Sequence, residues 1–398
     1  MMAAITAAEA GASVVLLERN DRLGKKLRIT GKGRCNLTNA CDRDTFFENI
    51  PTNPKFLFAA YAAFPPEDTV SFFEGLGLEL KTERGRRVFP ASDKAADVVA
   101  ALEKRLRELG VSILFTKVKS ILTEEGRAVG VATNKGDYSA DAVILCTGGK
   151  SYPLTGSDGS GYALAKEVGH TILAPTPSLV PLTSPSKVCR EMQGLSLKNV
   201  TLRLLENASE KIVFEDFGEM LFTHFGLSGP LVLSASAHLK SGAKNAYTVH
   251  LDLKPALDEE TLDARVRSDF AKYQNRDFCN SLGDLLPEKM ILPMIETVGI
   301  DPRKKVNSVT KEERERLVRA LKDFVIPISG TRPIDEAIIT RGGVNVKEIN
   351  PKTMESKLLP GLFFAGEIID VDAYTGGFNL QIAFSTARLA GNAAAEEL

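Results

Sequence analysis

Two kinds of apolar run alternate along the 398 residues. Residues 13–17 (SVVLL), 111–115, 142–146 (AVILC) and 362–365 (LFFA) are short and almost without polar interruption. Such runs form strands buried on both faces of a parallel sheet. Residues 195–205, 211–214 and 247–253 alternate between apolar and polar side chains, as antiparallel strands with one wet face do. Residues 117–122, 128–133 and the segment near Tyr138, parted by Glu125-Gly126 and Lys135-Gly136, read as a β-meander. Helical spacing covers residues 1–10, stopped by Gly11, and residues 53–64 and 67–76, on either side of Pro65-Pro66. It also covers 93–109, with Asp93 as cap and Gly110 as stop, and 157–169 and 382–395. Residues 258–321 are helical and strongly charged, and 334–339 lead into Thr340-Arg341-Gly342-Gly343-Val344.

The order of these elements implies the organisation. Parallel-type runs interleaved with helices occupy both ends of the chain, and the antiparallel pattern begins near Val188. The expectation is one α/β domain assembled from residues 1–187 and 331–398. An antiparallel β domain at 188–255 and a helical subdomain at 256–330 interrupt it, and the proline-rich residues 175–185 cross between domains.

Composition narrows the partners. With 50 Lys and Arg against 51 Asp and Glu, the net charge of −1 supplies no electrostatic reason to expect nucleic acid or an anionic membrane surface. No apolar run approaches a membrane span. The five cysteines (35, 41, 146, 189, 279) are scattered, with no C-x-x-C, which suits reduced thiols in a cytoplasmic protein. The four histidines lack metal-ligand spacing. The first residues carry Glu9 and no basic lead, unlike a secretory signal.

Four stretches have the look of ligand-binding backbone. In 361–381 (GLFFAGEIIDVDAYTGGFNLQ) a buried run stops at Gly366 and a carboxylate, Glu367, follows; Gly376-Gly377 then opens a helix. That is how an α/β sheet presents backbone N–H groups at the carboxyl ends of its strands. Residues 142–146 likewise run into Thr147-Gly148-Gly149. At the N-terminal end, a helix, Gly11, a strand and Glu18 look like the second half of a dinucleotide-binding βαβ unit, whose acid accepts hydrogen bonds from a ribose. The matching G-x-G-x-x-G would end just before Met1, so the chain is expected to start inside the motif, without its first strand and phosphate loop. Glu18 could equally end a surface strand. Residues 22–39 (RLGKKLRITGKGRCNLTN) combine three glycines with six cations, which suits a pyrophosphate, or else makes a basic surface loop. Cys35 reads as a small packing residue rather than a catalytic thiol.

Taken together, LLERNDRLGKKLRITGKGRCNLTN, CTGGKSYPLTGSDGSGYALA, GEMLFTHFGLSGP, TRGGV and FFAGEIIDVDAYTGGFNLQIA stand in the order seen in BaiN-like (aminoacetone-oxidase-like) NAD(P)/FAD-dependent flavoproteins, and the chain resembles that family over essentially its whole length. The resemblance implies a Rossmann-like, glutathione-reductase-like FAD domain with an inserted β-barrel-like and helical domain. It implies FAD as cofactor, NAD(P)H as transient donor and a small-molecule substrate. It assigns Glu18 and Arg19 to the ribose end, and Lys25, Gly31, Gly33, Arg34, Cys35 and Asn36 to the pyrophosphate and flavin loop. Val118 is assigned a backbone contact to adenine, and Thr147, Gly148 and Gly149 the adenosine half. Gly366, Glu367, Gly377, Phe378, Asn379 and Gln381 are assigned to the ribityl chain and flavin ring. One departure, Ala387-Arg388 where relatives tend to carry glycine and a bulkier residue, is minor.

The expected chemistry is two-electron transfer through a flavin. The leading reading is an NAD(P)H-dependent reductase of an activated double bond in a small or hydrophobic substrate. Alternatives are an oxidase of a small amine or ketone and a truncated chain that only binds. Gly156, Gly159 and Gly161 have the wrong spacing for a second dinucleotide fingerprint. No acid–base pair stands out; His224, Tyr152 and Arg341 are candidates.

Overall fold

The structure, a computed structural model, describes residues 1–240 and 242–396. The chain divides into two units, Met1–Ser178 with Pro333–Leu398, and Leu179–Arg332.

In the first unit the uninterrupted apolar runs become parallel strands. Val15–Glu18 pairs with Ser112–Phe115, and Leu362–Phe364 with Val143–Leu145. Among the described residues these are two separate two-stranded sheets. Leu362, Phe363 and Phe364 are fully buried, so no alternation was there to be read in the sequence. The meander consists of Val118–Glu124, Arg127–Thr133 and Gly136–Ser139, and Ile172–Ser178 pairs antiparallel with Ile339–Val344. The helix Ala95–Glu108 buries Val98, Val99, Leu102 and Leu106, one face at helical period. The helix Met2–Glu9 packs on the long C-terminal helix Phe378–Glu396, and the approach is close. A Cβ on Gly391 would lie 2.7 Å from the Ala3 carbonyl oxygen.

The second unit is a seven-stranded antiparallel sheet with helices Glu259–Lys272, Glu288–Val298 and Lys311–Lys322. Its two edge strands, Phe324–Ile328 and Gly330–Thr331, are separated by Ser329 alone, so the sheet has curled until its edges nearly meet, as a barrel does. Leu182–Thr183 is a strand of this sheet, paired with Gly226–Ser228 and Gly330–Thr331. Residues 179–187, placed with the first domain on sequence grounds, therefore run in the second unit. Phe324–Ile328 likewise pairs with Tyr247–Asp252, which ties the helical stretch to the β part.

Two local expectations change. Asp93 does not cap the helix that follows: it has φ of 58°, Lys94 occupies the cap position, and the Asp93 carboxylate pairs with Lys81 and Arg34. The strand expected at 211–214 continues to Thr223.

Candidate functional site

Three of these stretches, 22–39, the one running into 147–149, and 361–381, meet in the first unit. Thr38 donates to the Gln381 side-chain oxygen at 2.6 Å, and Asn39 donates to the Gly376 carbonyl at 3.0 Å. Gly377 has φ of 104°, and a Cβ there would fall onto the Thr38 carbonyl. Only glycine lets these two backbones touch.

A second junction centres on Glu367, which follows the buried strand within a single 3-10 turn, Gly366–Ile368. Its Oε2 accepts from Lys26 Nζ at 2.5 Å, and its Oε1 from the Thr340 amide at 2.9 Å and the Ser151 hydroxyl at 3.1 Å. Lys26 also donates to Ser151 at 2.8 Å. Thr340 Oγ1 in turn accepts from the Lys150 and Ser151 amides. Four segments far apart in sequence thus converge on one carboxylate. A Cβ on Gly149 would strike both Thr340 and Glu367, which explains the glycine in that motif.

The residues fit a dinucleotide of mixed polar and anionic character. Gly31, Lys32, Gly33 and Cys35 all have positive φ, from 56° to 84°. Backbone curled in this way presents N–H groups toward an anion. In the same stretch Arg28 Nε and Asn36 Oδ1 are buried without a hydrogen-bond partner. Unpaired buried polar atoms are costly and mark where a ligand or water would bind. The nineteen-residue helix Phe378–Glu396 aims its first N–H groups, which have no carbonyl partner inside it, at the end where Gly376 and Gly377 lie.

The remaining sequence-assigned residues take varied places. Glu18 ends its strand with Oε1 accepting from the Asn20 amide and side chain, both at 2.8 Å, and Asn20 also donates to the Thr155 carbonyl. Arg19 is ion-paired with Asp158. Lys25 pairs with Asp21 at 2.7 Å; its neighbour Lys26 is the cation that reaches Glu367. Arg34 lies over the Phe89 ring at 4.1 Å and pairs with Glu83 and Asp93. Cys35 is fully buried, and burial pushes its thiol up to about 12, which makes it inert as a nucleophile at neutral pH. Val118 starts its strand opposite Thr133. Thr147 and Gly148 follow the Val143–Leu145 strand, and Gly161 packs directly on the Thr147 hydroxyl. Phe378 is buried 5.9 Å from the Phe46 ring.

Asn379 spends its amide on the preceding loop: it accepts from Ala373 N at 2.9 Å and donates to Ala373 O at 2.7 Å. Gln381 accepts from Thr38 and Thr69 and donates to Phe64 O and Ser385. Both side chains tie neighbouring segments of the site together. Among the acid–base candidates, Tyr152 is exposed with φ of 53°, and His224 lies in the second unit with its ring 5.0 Å from Phe225. The Arg341 carbonyl accepts from Thr176.

Sequence reasoning passed over Lys26, Ser151 and Thr340. Lys26 was visible only as one of six cations; which of two adjacent lysines reaches Glu367 depends on the turn of the helix Lys25–Ile29. Ser151 and Thr340 each lie beside a glycine motif and carry no signal of their own. Among the described residues no cluster of His, Cys, Asp and Glu could hold a metal, and no helix is long and apolar enough to cross a membrane.

The description "HI0933-like protein Rossmann domain" matches residues 1–393. The chain belongs to that family. It is a family of FAD-dependent oxidoreductases with a Rossmann-type FAD-binding fold, and this chain is an enzyme of that class. A Clostridium scindens protein named 3-dehydro-bile acid delta(4,6)-reductase is 34% identical over 402 residues, covering 100% of this chain and 96% of that protein. An Escherichia coli protein named ribosomal RNA dihydrouridine synthase is 29% identical over 388 residues, covering 97% of this chain and 93% of that one. Among solved structures, a Rhodococcus jostii 3-ketosteroid-delta4-(5alpha)-dehydrogenase in complex with 4-androstene-3,17-dione shares the fold. It aligns with a TM-score of 0.50 and 16% identity, over 99% of this chain and 94% of that chain.

Proposed function

We propose that this enzyme is an NAD(P)H-dependent reductase that saturates a carbon–carbon double bond conjugated to a carbonyl in a small, largely apolar substrate. The observation that carries the reading is the full-length likeness to the bile acid reductase, joined to a site whose polar residues fit a dinucleotide. The two named relatives differ in substrate, but both names describe adding hydrogen across a double bond, the bile acid Δ4,6 system in one and the uracil ring in the other. That shared reaction class favours a reductase over an oxidase. The balance of 50 basic and 51 acidic residues favours a small molecule over RNA. Five free cysteines suit a cytoplasmic setting.

Bound FAD supplies two-electron transfer between donor and substrate. The protein's part is binding and orientation. Glu18, beside Asn20, offers Oε2 to a ribose. The 31–36 loop would hold the diphosphate on backbone N–H groups. Glu367, fixed by Lys26, Ser151 and Thr340, would accept from a polyol hydroxyl. The Phe378–Glu396 helix start offers partial positive charge to the flavin ring's carbonyl edge. Gly156, Gly159 and Gly161 do not have the spacing of a second dinucleotide fingerprint, which favours a donor that would share one face of the flavin with the substrate.

The test is anaerobic stopped-flow spectroscopy of the FAD-loaded protein. NADPH or NADH should bleach the flavin, and a Δ4-3-ketosteroid should restore its colour without oxygen. No bleaching by either nucleotide would sink the reductase reading. Restoration only by uridine-containing ribosomal RNA would move the substrate to nucleic acid, and restoration only by oxygen would make the enzyme an oxidase.

A further inference from the structure

A β-hairpin stands against the basic loop of the site. Its strands, Leu80–Glu83 and Arg87–Pro90, are joined by Arg84, Gly85 and Arg86. Gly85 and Arg86 turn the chain at φ of 76° and 59°. Arg84, Arg86 and Arg87 are all exposed, so one tight turn holds three guanidinium groups out to solvent.

The turn is fixed from both sides. The Arg87–Pro90 strand pairs with Thr38–Asn39, and the amides of Leu37 and Ala40 donate to the carbonyls of Val88 and Arg86. Arg34, from the basic loop, covers the Phe89 ring and pairs with Glu83 on the other strand. At the tip a single amide sets the position. Asn39, 5% exposed, donates Nδ2 to the Gly85 carbonyl and to the Gly376 carbonyl, both at 3.0 Å. One nitrogen therefore separates the arginine turn from the glycines that open the Phe378–Glu396 helix.

The charge of the turn is left largely uncompensated. Asp42 meets Arg86 at 3.2 Å, between two exposed side chains, and Glu83 is spent on Arg34. Among the described residues Arg84 and Arg87 have no carboxylate partner. Arg87 donates only its Nε, to the Arg84 carbonyl, and its guanidinium lies 5.9 Å from the Phe89 ring centre. Two guanidinium forks on a rigid turn match a phosphate monoester, whose oxygens accept in pairs and whose double charge calls for more than one cation. In dinucleotide sites an arginine that meets the ribose 2′-phosphate is what admits NADP.

We propose that the turn of Arg84 to Arg87 is a receptor for the 2′-phosphate of NADPH, so that this protein takes NADPH in preference to NADH. The Asn39 contacts hold the turn beside the helix start, so a donor whose nicotinamide reaches a flavin there would lay its adenosine phosphate on the arginines. That use of the donor rests on the reductase reading above; the selectivity of the turn for the phosphate does not. RNA suits the turn less well. A strand of phosphates needs cations along its path, whereas these gather on one turn of a chain whose 50 basic residues are matched by 51 acidic ones.

Isothermal titration calorimetry of the full FAD-loaded chain at low salt, with adenosine 2′,5′-bisphosphate and with 5′-AMP, tests this. The two ligands differ only in the 2′-phosphate. The bisphosphate should bind about tenfold or more tighter, the worth of a hydrogen bond to a charged group. Arg84→Ala combined with Arg87→Ala should bring the ratio close to one, and the melt of this variant should match the wild type because both side chains are exposed. Equal affinity of the wild type for the two ligands, or a ratio that survives in the double variant, overturns the proposal. A short uridine-containing oligoribonucleotide that displaces the bisphosphate and binds more tightly than it does would assign the turn to RNA and overturn the proposal as well. The ratio is read in the same way on the FAD-free chain. Selectivity for the bisphosphate in a protein that loads no FAD, or whose flavin neither nucleotide bleaches, therefore supports the receptor and counts against the reductase reading alone.

Discussion

Lys26 Nζ lies 2.5 Å from Glu367 Oε2, an ion pair that spans 341 residues of chain. Both side chains are largely withdrawn from solvent, at 22% and 15% exposure, and Glu367 has two further donors on its other oxygen. The pair ties the N-terminal basic loop to the C-terminal strand end. Glu367→Gln keeps the shape and removes the charge; FAD affinity, followed by flavin fluorescence, should fall about tenfold to a hundredfold. Lys26→Met strands the carboxylate and should lower stability by about 1–3 kcal/mol in denaturant melts. Lys25→Met, whose lysine pairs only with the exposed Asp21, should change neither by much.

Gly377→Ala tests the backbone contact with Thr38. The new methyl meets the Thr38 carbonyl, and the residue must hold φ of 104°. The expected cost is about 1–3 kcal/mol of stability together with loss of the yellow holoprotein. Retention of full FAD binding would mean that the two loops are not in contact in solution.

Gln381 is the hub that a ligand role would overlook. Gln381→Leu leaves the Thr38 and Thr69 hydroxyls without their acceptor and the Phe64 carbonyl short of one donor. Unsatisfied buried groups predict a loss of roughly 2–4 kcal/mol, visible as a lower melting temperature. The melt of the FAD-free protein should shift as well, which a pure ligand contact would not produce.

His170 makes the fold sensitive to acid. Its ring is buried, 2.8 Å from the Ser356 hydroxyl and 4.8 Å from the Phe364 ring centre, and burial holds its pKa below the ordinary value despite Glu348 nearby. The unfolded chain therefore binds more protons, and stability should drop as pH falls through the unfolded value of about 6.5. His170→Gln should flatten that slope in urea melts taken between about pH 5 and about pH 7.

Cys35 should resist alkylation in the native protein. With its thiol pushed up to about 12, the thiolate at pH 8 is about one part in ten thousand. Iodoacetamide labelling followed by mass spectrometry should mark the exposed Cys146 before Cys35, which should react only after unfolding.

Much of the first unit could be read in the sequence because its strands are buried on both faces and its glycines sit where the chain turns at a strand end. The SVVLL and LFFA runs, the stops at Gly148 and Gly366 and the amphipathic helix Ala95–Glu108 all depend on local patterns. The single strand Lys211–Thr223 was harder to bound, because charged residues on its wet face break the apolar run after Phe214. Asp93 looked like a cap because aspartate before an apolar run usually is one. Here Arg34 and Lys81 offered the carboxylate stronger partners, and the cap passed to Lys94.

The sequence by itself determined the class of chemistry. Glycines at strand ends, an acid after one strand and a carboxylate after another are needed wherever a dinucleotide must come close to backbone, and those needs are written in residue types and short spacings. Only the tertiary structure decided which polar side chains are spent on partners inside the frame. Lys26 rather than Lys25 reaches Glu367 because a helical turn rotates it there. Asn379 and Gln381, in the first turn of the Phe378–Glu396 helix, are spent on Ala373, Thr38, Thr69 and Phe64. The same holds for Asp370 and Asp372, which look like a solvated acidic loop until the packing around Asn53, Ser178 and Tyr162 takes them out of water. A side chain's partner is set by what the fold brings within 3 Å of it, and that distance is not a property of neighbouring letters.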